Sequence, residues 1–263
     1  MIYPLPWLRN NLRNFLRASL LGRALRSTQP HTTLKSLRVV SATRLTEKKF
    51  WKYSALGRSL KPWLTSSMLS IDIRFENKEG LPVVYNRQLR DMQAPEVLVF
   101  IHDDVWLDDP EWIAKIVVAL ERFDIVGVCG ATAILPKQPS SIHEIVQNDN
   151  AWHMGGGQLA GAIGHGQLRK GTVTVYGPPI ASCQLLDGVF LAMRGTAVLQ
   201  SDVWFDEQFD FHFYDMDFCR NAKRAGLQLG TWPIALTHQS KGESFHSPDW
   251  QAGYERYLTK WKH

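Results

Sequence analysis

The chain has 263 residues, 44% of them apolar, with 30 Lys and Arg against 25 Asp and Glu. That length and apolar content suit one α/β domain better than two full ones, and three cysteines without paired spacing (Cys129, Cys183, Cys219) argue against a disulfide framework and for a reducing compartment. The net charge of +5 is unevenly spread: eight cations and no acid precede Glu47, which leaves −3 for residues 47–263 and argues against nucleic-acid binding by the body of the chain.

In residues 5–26, Leu5, Leu8, Leu12, Phe15, Leu16, Leu20 and Leu25 recur near helical spacing with arginines between them. A basic amphipathic helix of this kind lies on an anionic membrane surface, or it packs its leucines on the body or on a second subunit. No run reaches the ~18 apolar residues of a membrane span, and arginines interrupt every apolar stretch that could serve as a signal peptide. The expected location is therefore cytoplasmic, peripheral on the inner face of the membrane if the arm meets lipid. Residues 27–33, with Gln29-Pro30-His31, read as a linker. The expected domain plan is an arm and linker over 1–36 and one catalytic domain over 37–263.

From Leu37 the pattern changes to alternating strands and helices. A strand is predicted at 37–42, a helix at 47–60, a strand at 70–75 and a helix at 81–91. Val97-Leu98-Val99-Phe100-Ile101 is a β-branched apolar run of the kind found in a central parallel strand. It stops abruptly at His102-Asp103-Asp104. Asp108 and Asp109 stand before Pro110 and Glu111 as caps for a helix at 111–122, and a buried strand follows at 124–129. Such alternation implies a doubly wound, mostly parallel sheet with helices on both faces, with ligands outside the carboxyl ends of the strands. Residues 137–177 hold Gly155-Gly156-Gly157, Gly161, Gly164 and Gly166 with His153 and His165, and are expected to form a mobile loop or a hairpin over the active site. A strand segment at 185–193, the acidic aromatic run 205–218, a helix to Ala225, a strand at 229–235 and a last helix complete the chain.

Three clusters carry chemistry. Carboxylates placed directly after a buried strand, as in His102-Asp103-Asp104, suit a divalent cation bound to a diphosphate, because oxygen ligands suit Mg²⁺ and Mn²⁺. A solvated strand-end turn would use the same residues. In Phe211-His212-Phe213-Tyr214-Asp215-Met216-Asp217, one acid can act as a general base while the other caps the following helix. Alternatively, both serve the helix N-terminus. In Thr237-His238-Gln239-Ser240, a neutral imidazole could complete a metal site.

Together these segments resemble the family-2-type glycosyltransferases of the GT-A fold, from about Leu37 to the C-terminus. His102-Asp103-Asp104 stands where that family has an Asp-x-Asp motif for metal and diphosphate, with Asp104 matching the second acid and His102 replacing the first. Leu186-Asp187-Gly188-Val189-Phe190 matches its small-residue strand near the acceptor. Trp204-Phe205-Asp206-Glu207-Gln208-Phe209, Tyr214-Asp215-Met216-Asp217-Phe218-Cys219 and Ala222-Lys223-Arg224-Ala225-Gly226 follow its next segment, with Tyr214 where the family has Glu. His238 with Ser244 matches a late His and Ser, and Asn77, Gly80 and Asn86 match a region beside the nucleotide. More closely, the chain resembles a prokaryotic subgroup of glycosyltransferases with "His-Asp-Asp-Val-Trp-Leu" and "Tyr-Asp-x-Asp-Phe-Cys" signatures.

The resemblance implies a GT-A-like α/β domain that moves a sugar from a nucleotide-sugar donor to a glycan or lipid-linked acceptor hydroxyl, with inversion. It implies Asp215 as catalytic base, and Mn²⁺ or Mg²⁺ held by His102, Asp104 and His238, with Asp103 as the alternative ligand. It implies a donor site at Ser41, Ala42, Thr43, Asn77, Asp103 and Asp104, and an acceptor site at Asp187, Gly188 and Tyr214. The competing expectation is a catalytically silent sugar-nucleotide or glycan-binding module of the same fold. A nucleotidyltransferase is disfavoured, because the first strand opens into Ser41-Ala42-Thr43-Arg44 with no glycine for a phosphate loop.

Overall fold

A computed structural model describes residues 36–92, 96–145, 152–154, 157–239 and 247–262. The amphipathic arm, the linker, Gly155, Gly156, Ser240 and Ser244 lie outside the described residues, and of His153 only the backbone is described. In chain order the elements are β1 (Ser36–Ala42), α1 (Glu47–Tyr53), α2 (Ala55–Leu60), β2 (Leu69–Arg74), α3 (Leu81–Arg90), β3 (Glu96–Ile101), β4 (Val105–Leu107), α4 (Trp112–Ala119), β5 (Ile125–Gly127) and β6 (Cys129–Ala131). Then come β7 (His143–Ile145), β8 (Trp152–Met154), β9 (Leu159–His165), β10 (Thr172–Val175), β11 (Ser182–Cys183), β12 (Leu185–Leu186), β13 (Phe190–Arg194), α5 (Gly195–Gln200), α6 (Tyr214–Arg224), β14 (Leu229–Thr231), β15 (Leu236–His238) and α7 (Pro248–Trp261).

The main sheet has the order β11-β14-β5-β13-β3-β1-β2. The α/β expectation holds, but the sheet is mixed rather than mostly parallel. β1 runs parallel to β2 and β3, and β14 parallel to β5, whereas β13 enters antiparallel to both β3 and β5 and β11 antiparallel to β14. The sequence conceals this, because the direction of a short strand depends on how the preceding loop returns. A second sheet, β12-β6-β9-β15-β4, carries β10 on β9.

β3 shows why the sheet has two covered faces. All six of its residues are buried. Leu98 and Phe100 join a core with Tyr85 of α3, Phe205 and Phe218 of α6, while Val97, Val99 and Ile101, on the opposite face by strand alternation, are no more than 4% exposed.

Several predicted elements differ in detail. The helix expected over 47–60 is two helices, since Ser54 ends α1 in extended backbone and its Oγ accepts from Gly57 N to cap α2. A side-chain oxygen that satisfies the backbone this way competes with helix continuation. The strand expected over 124–129 splits at Val128, with β5 in the main sheet and β6 in the second. The glycine-rich stretch does contain a hairpin, β9–β10. Gly161 in β9 has φ +85°, and a Cβ there would strike the Val128 carbonyl, so only glycine lets β9 lie this close. Of the two expected helix caps, Asp109 accepts from Glu111 N. Asp108 instead accepts from Lys170 N and Thr237 Oγ1 and pairs with Arg169, fastening the β9–β10 turn.

Candidate active site

The parallel strands β1 and β3 are neighbours, so their carboxyl ends open at one place. Thr43, just beyond β1, donates from Oγ1 to Asp103 Oδ2 at 2.5 Å. Asn77 N donates to Thr43 O at 2.8 Å, which brings the loop after β2 to the same edge. Burial pushes the Asp103 carboxyl above its ordinary pKa, against the opposing Thr43 hydrogen bond. Ala42 is half-buried beside them, whereas Ser41 is fully buried with its hydroxyl unpartnered among the described residues.

His102 and Asp104 leave β3 together. β4 follows at once and pairs antiparallel with β15, in register His238 to Val105, and this ladder delivers His238 to Asp104, with Nε2 3.3 Å from Oδ2. Burial raises the Asp104 pKa, but the hydrogen bond and charge of His238 outweigh it and leave the carboxyl below its usual value. For His238 the signs reverse: burial lowers its pKa, Asp104 more than offsets this, and the net shift is upward. Burial pushes the pKa of His102 down, against the raising charge of Asp104.

One ligand atom each from His102, Asp104 and His238 lies within 4.8 Å of the others. Oδ1 of Asp104 is buried without a hydrogen-bond partner among the described residues. An ionised carboxylate oxygen left bare at a buried position is costly unless something uses it. Two imidazoles and one carboxylate are a donor set that first-row divalent cations accept, so the residues fit a metal.

His102 also lines a cleft with Ser141, Asp187, Phe211, Asp215 and Trp250, among others. Asp215, at the start of α6, accepts from Gly188 N through Oδ2 and from Met216 N through Oδ1, both at 2.8 Å. Burial, then the nearby charge of Asp187, pushes its pKa up to about 7. Asp187 accepts from Ser141 Oγ at 3.0 Å and from Val189 N. Tyr214 is buried, and its hydroxyl lies between Gly188 O and His102 Nε2. Gly188 must lack a side chain, since a Cβ would collide with the Tyr214 hydroxyl and Asp215 Cβ.

A model described as the glycosyltransferase like family matches residues 69–250, which takes in Asn77, His102, Asp103, Asp104, Asp187, Asp215 and His238 but not Ser41, Ala42 and Thr43. The chain belongs to that family. No curated protein matches. Among solved structures, GalNAc-T7 with UDP, GalNAc and Mn²⁺ is similar at 14% identity and TM-score 0.49 over 87% of this chain and 48% of that one. A mannosyltransferase from Pyrobaculum calidifontis in complex with GDP-Man and Mn²⁺ is similar at 12% identity and TM-score 0.42 over 89% of this chain and 66% of that one. A197 from STIV is similar at 10% identity and TM-score 0.42 over 78% of this chain and 95% of that one. The chain thus spans about half the length of the first of these.

In this glycosyltransferase-like chain the two acids of the Tyr214–Asp217 run do not divide their work as expected. Asp215 itself takes the helix-start N–H of Met216. Asp217, fully buried, is no cap. It accepts from Trp261 Nε1 at 2.8 Å, from Lys260 at 2.9 Å and from Asn221, binding α7 to α6. Sequence reasoning also passed over Ser141, Phe211 as a ring stacked on His102 at 5.6 Å, and Trp250. Ser141 carries no motif and meets Asp187 only through the fold. Phe211 was visible in the sequence only as one member of the aromatic run, and the structure leaves it 48% exposed.

Proposed function

We propose that the chain is a metal-dependent glycosyltransferase that moves a sugar from a nucleotide-sugar donor to a hydroxyl of a glycan or lipid-linked acceptor, with inversion. The observation that carries this reading is the bare, buried Oδ1 of Asp104 between His102 and His238, with the Thr43–Asp103 edge on one side and the Asp215 cleft on the other. Ala42, Thr43, Asn77, Asp103 and Asp104 would receive the nucleotide and its diphosphate, with Ser41 supporting them from beneath. Asp187, Gly188 and Tyr214 would border the acceptor.

Asp215 takes the proton of the acceptor hydroxyl. The hydroxyl oxygen bonds to the anomeric carbon as the bond to the diphosphate breaks, and the nucleoside diphosphate departs. A pKa of about 7 gives Asp215 the basicity for this while leaving it largely ionised in mildly alkaline solution. Mn²⁺ or Mg²⁺ at His102, Asp104 and His238 would offset charge on the leaving diphosphate. The acid-free arm, with Leu5, Leu8, Leu12, Phe15, Leu16, Leu20 and Leu25 near helical spacing, supports an anionic membrane surface as a further partner.

A thermal-shift screen of nucleoside diphosphates and nucleotide sugars, with and without Mn²⁺, tests the reading, since a ligand raises apparent stability by mass action. A Mn²⁺-dependent shift with one nucleotide, abolished in Asp104→Ala, is expected. Asp215→Asn should keep that shift and lose transfer on the order of 10²–10⁴-fold. No shift with any nucleotide would remove the enzyme reading. A nucleotide shift without turnover of any donor would favour a silent binding module.

A further inference from the structure

We propose that Tyr214 is a positioning residue that sets the tautomer of His102 and thereby decides which ring nitrogen meets a cation. The inference rests on the metal site proposed above. The Tyr214 hydroxyl lies 2.9 Å from the carbonyl oxygen of Gly188 and 3.0 Å from Nε2 of His102. A carbonyl oxygen can only accept, so the single phenolic hydrogen goes to Gly188. The phenol then offers His102 nothing but oxygen lone pairs, and the hydrogen of that contact belongs to Nε2. Nδ1 is left as the unprotonated nitrogen, the one able to bind a metal.

The arrangement is built to hold. Tyr214 is 2% exposed, with Tyr85 at 5.8 Å and Phe205 at 6.0 Å between ring centroids. Gly188 provides the space, since any Cβ there would occupy the position of the phenol oxygen. Placing the phenolic hydrogen on His102 instead would strip the Gly188 carbonyl of this donor. A ligating histidine whose other N–H is fixed by a hydrogen-bond acceptor is oriented and made a better ligand. Here that acceptor is a phenol polarised by its own donation to a carbonyl.

Gly188 also donates its N–H to Asp215. One glycine residue therefore ties the proposed base to the proposed metal ligand, its N–H serving Asp215 and its carbonyl serving Tyr214. A carboxylate at position 214 could accept from His102, but once ionised it could not donate to Gly188. The tyrosine does both, and its place in the chain follows from that double task.

Two measurements test this. Metal-free protein with ¹⁵N-labelled histidine, assigned with His102→Ala, should show His102 as the Nε2–H tautomer. The Nδ1–H tautomer in the wild-type protein overturns the proposal whatever any variant does. Mn²⁺ titration by electron paramagnetic resonance should show Tyr214→Phe weakened on the order of 10–100-fold. A folded Tyr214→Phe protein within about twofold of wild-type affinity also overturns it, because outer-sphere partners of a ligating histidine carry larger effects than that. If wild-type protein binds no Mn²⁺, or Asp104→Ala binds it unchanged, the metal site itself falls. The positioning role then falls with it, a failure distinct from one in which Asp104→Ala loses the metal and Tyr214→Phe keeps it.

Discussion

Asp215 owes its basicity to place. It sits at the first turn of α6, buried, with Asp187 across the Gly188 turn, and these raise its pKa to about 7. A general base works only when unprotonated, so kcat/KM should fall as pH drops below about 7, approaching tenfold per pH unit. Asp187→Asn removes the charge that assists burial in this shift and should move the acid limb to lower pH. A limb that stays in place or moves upward would assign it to another group. Gly188→Ala should keep the fold and lose transfer on the order of 10²-fold, since a methyl there must displace the Tyr214 hydroxyl or Asp215. Steady-state rates, with circular dichroism to check folding, decide this. At this scale the sequence identified the reactive types: an acid in an aromatic run at a helix start, and acids directly after an apolar strand. The Ser141 contact, the two backbone roles of Gly188 and the hydroxyl–imidazole contact of Tyr214 left no local pattern.

At the scale of elements, a buried carboxylate helps to fasten α7 to α6, beside the Arg220–Tyr257 hydrogen bond. Asp217 receives Trp261 Nε1, Lys260 and Asn221, and Lys260 also reaches Asp206. Removing one partner of such a buried ionic group leaves the others uncompensated, so Asp217→Ala should cost about 3–5 kcal/mol in urea unfolding. A loss below about 1 kcal/mol would show that α7 is held by its Tyr257 and Trp261 packing instead. The helix at 81–91, the helix ending near Ala225 and a last helix were legible in the sequence. The break at Ser54 and the switch of sheets at Val128 were not, because each turns on what a single side chain or carbonyl meets after folding.

Over the whole chain, the family match spans residues 69–250 and the described body carries the strand-end site. Among the described residues no helix is long and apolar enough to cross a membrane. The membrane partner proposed here depends on the basic arm. Deleting residues 1–30 should release the protein from vesicles containing anionic lipid, an interaction that weakens with salt. Vesicle binding unchanged by the deletion would assign the arm to packing on the body or on a second subunit.

By itself the sequence determined that buried strands end in polar triads, since a run such as 97–101 can sit only in a core and the acids after it need water, a partner or an ion. It determined the order of His102, Asp104, Asp187, Asp215 and His238 along the chain, and with that order the resemblance. Only the tertiary structure decided which of them meet. His238 reaches Asp104 because β15 pairs antiparallel with β4. Tyr214 reaches His102 across 112 residues because Gly188 leaves room for its hydroxyl. Contacts of that kind depend on strand direction and register, which are set by the packing of the whole molecule and not by any one segment.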